Sequence, residues 1–109
     1  MIRDILRPSL IFLSELWERL LIAWPILVFL MVIIALLGLW VGRREGWRWQ
    51  DSLYWAGITA TTVGYGDIRP KRGGSRLLSL VIAMVGLVFS GLVVALAVNA
   101  GQSMADLLM

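Results

Sequence analysis

Six consecutive residues near the middle of the chain, Thr62-Val63-Gly64-Tyr65-Gly66-Asp67, have types and spacing that could do chemistry. What the spacing singles out is the backbone of this segment. Gly64 and Gly66 are free to take positive φ while Val63 and Tyr65 keep negative φ, so successive carbonyls can point the same way. One such strand offers one oxygen per level. Four copies around an axis offer rings of oxygens about 3.3 Å apart, able to replace the hydration shell of a cation. Thr62 adds a hydroxyl at one end. The pattern therefore implies a fourfold assembly.

A non-helical segment of this kind is tolerated at membrane depth only where protein buries it or it lines a watery path, and the rest of the sequence supplies that setting. Of 109 residues, 60% are hydrophobic and 16% charged. A soluble domain this small leaves too much of its surface in water to hide such a composition. Leu20–Gly42 and Leu77–Ala105 contain no charged residue. As helices they reach roughly 34 and 43 Å, against a hydrocarbon core of about 30 Å. Between them, Asp51–Thr61 reaches only about 16 Å, half a bilayer. It reads as a re-entrant helix, opened by Asp51 and Ser52, whose negative C-terminal end near Thr61 favours a cation in mid-membrane.

Residues 1–19 are of different character. Leu10, Leu13, Leu16, Trp17 and Leu20 recur at helical spacing opposite Ser14, Glu15, Glu18 and Arg19. The segment reads as an amphipathic helix lying in the membrane interface, capped by Ser9 after a break at Pro8, or as a prolongation of the first span. Pro25 can kink that junction. There is no cysteine and no histidine, which removes disulfides, imidazole bases and the common zinc sites, and with them most enzyme chemistry. The net charge of +3 is too small, and too tied to the flanks of apolar runs, to argue for nucleic acid.

From Thr61 through Asp67 the sequence resembles the signature of potassium channels, and the order of segments resembles the two-transmembrane bacterial pore. The expected fold is an all-α membrane protein with two transmembrane helices, a re-entrant pore helix and an extended selectivity filter, assembled as a homotetramer. In that scheme residues 20–105 form the pore domain. It comprises an outer helix at 20–42, a turret at 43–50, a pore helix at 51–61, the filter at 62–67 and an inner helix at 76–102, with 106–109 as a tail. The resemblance implies K+ as the transported ion, held by Thr62, Val63, Gly64, Tyr65 and Gly66. It implies support of the filter by the aromatic pair Tyr54 and Trp55 and by Asp67. Gly86 matches a hinge glycine, and Ser90, Val94 and Val98 match the face lining the cavity and inner gate. No other cofactor is expected. The expected surroundings are lipid of the cell inner membrane, with any regulatory domain or subunit lying outside the chain. A non-selective cation pore, or a non-conducting adaptor joined through small-residue helix faces, would share this architecture.

Three departures from the family are informative. Ile58 stands where some bacterial members carry a glutamate paired with the acid that Asp67 matches, leaving the Trp55 indole as the expected donor to Asp67. Arg69 stands at the outer mouth, where other members have neutral or aromatic residues. Arg43, Arg44, Arg48, Arg69, Lys71, Arg72 and Arg76 lie between the spans, Arg3, Arg7 and Arg19 precede them, and no basic residue follows. The positive-inside bias would place the central loop in the cytoplasm, whereas the resemblance places the filter mouth outside.

Overall fold

The computed structural model describes residues 1–109. It contains three helices and no strand: α1 (Ile2–Glu45), α2 (Trp49–Ala60) and α3 (Gly73–Leu108). Both α1 and α3 are long and apolar enough to cross a membrane. At 1.5 Å per residue α1 measures about 66 Å and α3 about 54 Å, so each outruns the hydrocarbon core unless strongly tilted.

The helix α1 is continuous through Pro8 and Pro25, which corrects the break expected at Pro8. A proline removes one donor from the ladder, and Pro8 and Pro25 both do so beyond the first turn without ending the helix. Ser9, expected as a cap, instead donates its hydroxyl to the Ile5 carbonyl 2.8 Å away, a bond made inside helices. Residues 1–19 are thus joined in one helix to the first span. At its other end α1 stops at Gly46, whose φ of +77° lets the Trp47 N–H return to the Gly42 carbonyl at 2.8 Å. This is the glycine-dependent turn that ends many helices.

The contacts fall into two units, Leu27–Ser90 and Met1–Ile26 with Gly91–Met109. The first holds the core: Ile34 and Val41 of α1, Trp55, Ala56 and Ala60 of α2, and Ile82 of α3. Trp47 packs its ring edge-on to Trp55, with centroids 5.3 Å apart. The short helix α2 is gripped through small residues. A Cβ on Gly38 would stand 2.5 Å from the Ala56 Cβ, one on Gly42 only 1.7 Å from the Ser52 Oγ, and one on Gly86 2.2 Å from the Ala60 carbonyl oxygen. Ser52, Ala56 and Ala60 recur every fourth residue and so form one face of α2. That face meets α1 at its first two positions and α3 at its third. Glycine's missing side chain is what lets these backbones approach.

α2 begins at Trp49, two residues before the start expected at Asp51, and Arg48 occupies the cap position without a side-chain bond. Asp51 still lies in the first turn, where its charge faces the positive end of the helix dipole. Ser52 is not a cap: it is 1% exposed, and its hydroxyl donates back to the Arg48 carbonyl at 3.0 Å.

Candidate functional site

The stretch Thr62–Asp67 follows α2 after its C-cap Thr61, and the N–H groups of Thr61, Thr62 and Gly64 complete that helix. Thr61 N–H donates to Gly57 at 3.1 Å, Thr62 N–H to Thr59 at 3.2 Å and Gly64 N–H to Ile58 at 3.0 Å. The last carbonyls of a helix ordinarily lack partners, and here the segment beyond supplies them. Its own carbonyls are left over: those of Thr62, Val63, Gly64 and Tyr65 accept no hydrogen bond within the chain.

Positive φ occurs at Thr62 (66°), Gly64 (57°) and Gly66 (79°), and not at Val63 or Tyr65. The alternation anticipated for the two glycines thus starts one residue earlier, on a β-branched residue for which positive φ is unfavourable. Thr62 Oγ1 donates to the Thr61 carbonyl at 2.6 Å, a local bond that helps hold this conformation. All residues from Thr61 to Asp67 are exposed on the single chain, Tyr65 by 72%.

The far end of the segment is tied to α2 by a different residue from the one expected. Asp67 Oδ2 accepts the Tyr54 hydroxyl at 3.0 Å, and its Oδ1 accepts the Ile68 N–H at 3.1 Å. Trp55 makes no bond to Asp67. It is 4% exposed, facing the core beside Trp47. Tyr54 and Trp55 are adjacent on a helix and so point about 100° apart; only one of them can face the loop while the other fills the core. The hydroxyl at the end of a tyrosine suits the wetter position.

A second tie was not foreseen. The carboxylate of Glu45, 5% exposed, accepts the backbone N–H groups of Lys71 and of Arg72, the latter at 3.1 Å, with the Arg72 Nε 3.9 Å from its other oxygen. These donors immediately precede α3, so Glu45 anchors the end of α1 to the start of α3. The partners are 26 residues apart or more, and no local pattern announces the bond. The grip on Gly38 and Gly42 was not foreseen either, although their small-x-x-x-small spacing is a signal that could have found it.

Arg69 is exposed, and its Cδ lies 3.9 Å from the position a Cβ on Gly66 would take. Together with Asp67, Lys71, Arg76 and Trp47 it lines an open cavity of about 1040 Å³. Gly86, matched to a hinge, is an interior position of the unbroken helix α3, closely opposed by the Ala60 backbone. Ser90 is half-buried, while Val94 and Val98 are 61% and 55% exposed. A Cβ at Gly91 or Gly101 of α3 would meet nothing within 4 Å in the chain.

Comparison with known proteins shows the family. The sequence pattern of a family described as "Ion channel" matches residues 21–103, from the middle of α1 to near the end of α3. The chain belongs to that ion-channel family. The chain is 37% identical over 70 residues to TWiK family of potassium channels protein 7 of Caenorhabditis elegans, covering 64% of this chain and 13% of that protein. Over 79 residues it is 34% identical to potassium voltage-gated channel subfamily KQT member 4 of Homo sapiens, covering 69% of this chain and 11% of that one. Over 41 residues it is 46% identical to two-pore potassium channel 1 of Arabidopsis thaliana, covering 38% of this chain and 11% of the relative. The chain therefore spans little more than a tenth of each of these relatives. No solved structure matches it.

Proposed function

We propose that the chain assembles as a homotetramer in the cell inner membrane and forms a potassium-selective pore, with Thr62–Gly66 of each subunit as the filter. The observation that carries this reading is the division of labour in the segment's backbone. The N–H groups of Thr62 and Gly64 are spent on the end of α2, the carbonyls of Thr62 to Tyr65 are unengaged, and the φ values alternate in sign. Unpartnered carbonyls at membrane depth demand a positive partner. Four such rows give stacked oxygen rings, and α2 directs the negative end of its dipole to the same place. The names of the relatives, potassium channels in a nematode, a mammal and a plant, support K+ as the ion.

In this reading Tyr54 and Asp67 brace the outer end of the filter, Trp55 fills the space behind it and Arg69 stands at the mouth. The α3 face bearing Ser90, Val94 and Val98 lines the cavity and the inner constriction, where a ring of four Val98 side chains excludes ions by dewetting. The exposed apolar surface of the single chain, including Tyr65, is what neighbouring subunits and lipid cover. Flux of K+ into liposomes holding the purified chain tests the proposal, with subunit stoichiometry read by cross-linking. Tetramers that carry K+ down its gradient support it. An intact tetramer without flux would make the chain a non-conducting assembly instead.

A further inference from the structure

A polar contact joins the two long helices far from the filter. Within the unit formed by Met1–Ile26 and Gly91–Met109, Arg19 of α1 donates from Nη2 to the Ser103 Oγ of α3 at 2.5 Å. Its other nitrogen, Nη1, donates to Glu15 Oε2 at 2.7 Å and to the Glu15 carbonyl at 2.9 Å. The side chains of Arg19 and Glu15 are only 20% and 19% exposed. Glu15 thus neutralises the guanidinium and fixes its direction before it reaches α3. No other hydrogen bond runs directly between α1 and α3.

We propose that the Arg19–Ser103 bond is a latch that holds the distal end of α3 against α1 and so favours the open pore. The proposal rests on the pore reading above, in which α3 lines the axis and α1 lies outside it. Closing the inner constriction requires the distal ends of α3 to converge, bringing the four Val98 side chains together. Ser103 lies five residues beyond Val98, about 8 Å along the helix. A tether from Ser103 to the outer helix opposes that convergence. The guanidinium is largely removed from water, so breaking the bond leaves a charged donor short of an acceptor. The bias is therefore strong at each subunit, and four latches act on one constriction, so their effects multiply.

The test is single-channel recording of the full chain in planar bilayers, comparing the parent with Ser103→Ala, Ser103→Thr, Arg19→Ala and the double variant Arg19→Ala/Ser103→Ala. The latch predicts that Ser103→Ala lowers the ratio of open to closed time by about tenfold or more, while Ser103→Thr, which keeps the hydroxyl, stays near the parent. The double variant should be no worse than Arg19→Ala alone, because the two residues act through one bond. Ion selectivity should be unchanged throughout. Equal open probability in parent and Ser103→Ala, additive losses in the double variant, or a rise in open probability would each overturn the proposal. A parent chain that carries no current would overturn the pore reading itself, which separates the two failures. For any variant that assembles poorly, Arg19→Cys/Ser103→Cys provides a second measurement. The chain has no cysteine of its own, so a bis-maleimide about as long as an arginine side chain acts only at the introduced pair. Cross-linked channels should remain open, and closure despite the cross-link would refute the latch.

Discussion

Replacing Gly86 by alanine separates a close-packing glycine from a hinge. In isolation the change favours α3, because alanine is preferred to glycine inside a helix by about 1 kcal/mol. A hinge glycine would therefore give way to a straighter and more stable helix, with altered gating and intact assembly. The packing around Gly86 predicts otherwise. The new Cβ would lie 2.2 Å from the Ala60 carbonyl oxygen, 2.4 Å from its Cα and 2.6 Å from its carbonyl carbon. Relief requires α3 and the end of α2 to part by about 1 Å, since favourable contact lies near 3.5 Å. Overpacking costs about 1–3 kcal/mol, and obstruction by backbone belongs at the upper end. The net loss is then about 2 kcal/mol per subunit after the helical gain, and it falls two residues before the filter. Thermal dissociation of the assembly, followed on gels, should shift to lower temperature, and K+ flux should fall with it. Ala60→Gly should not rescue the variant, because the obstructing atoms are backbone. The contrast is Gly38→Ala, where the obstruction at 2.5 Å is the Ala56 Cβ itself, so Ala56→Gly should restore much of the loss. Undiminished stability of Gly86→Ala, or its rescue by Ala60→Gly, would refute the reasoning.

Tyr54→Phe deletes the hydroxyl that Asp67 accepts and should speed the decay of current during sustained opening, whereas Trp55→Phe should mainly reduce stability; equal decay in Tyr54→Phe and parent would remove the brace. Val98→Ser makes the inner ring polar and should raise open probability in single-channel records. Arg69→Tyr removes a positive charge at the mouth and supplies an aromatic face, so external tetraethylammonium should block it better than the parent. The difference should shrink as salt rises, because screening sets in over about 10 Å at 0.1 M. Equal block at every ionic strength would mean that Arg69 points away from the path of ions.

The two spans and the half-length helix were legible because charge-free runs and their lengths are set by the membrane itself. The stretch from Thr62 to Asp67 was legible because alternate glycines license a backbone that few other residues adopt, although the extension of that alternation to Thr62 was not. Element ends were read less well. Pro8 is a strong local signal for a break, yet the helix runs through it and through Pro25, because the ladder on either side outweighs one missing donor. Ser52 carries a capping side chain and was taken as a helix start, but the close approach of Gly42 demands a small residue there. Which of Tyr54 and Trp55 braces Asp67 depends on the direction α2 presents to the core, a tertiary fact. Glu45 reaches across 26 residues to Lys71, and a bond of that separation leaves no periodic trace in a single sequence.

The central claim is that the carbonyls of Thr62–Tyr65, arrayed fourfold, select K+. The measurement closest to it is the reversal potential of purified chain in a planar bilayer with K+ on one side and Na+ on the other, in parent and Gly64→Ala. Gly64 holds a φ of +57°, where a side chain is strained. The account predicts a parent reversal potential far toward that of K+, and loss of selective current in Gly64→Ala. A parent that reverses near zero, or a Gly64→Ala variant with unchanged K+ selectivity, would contradict it.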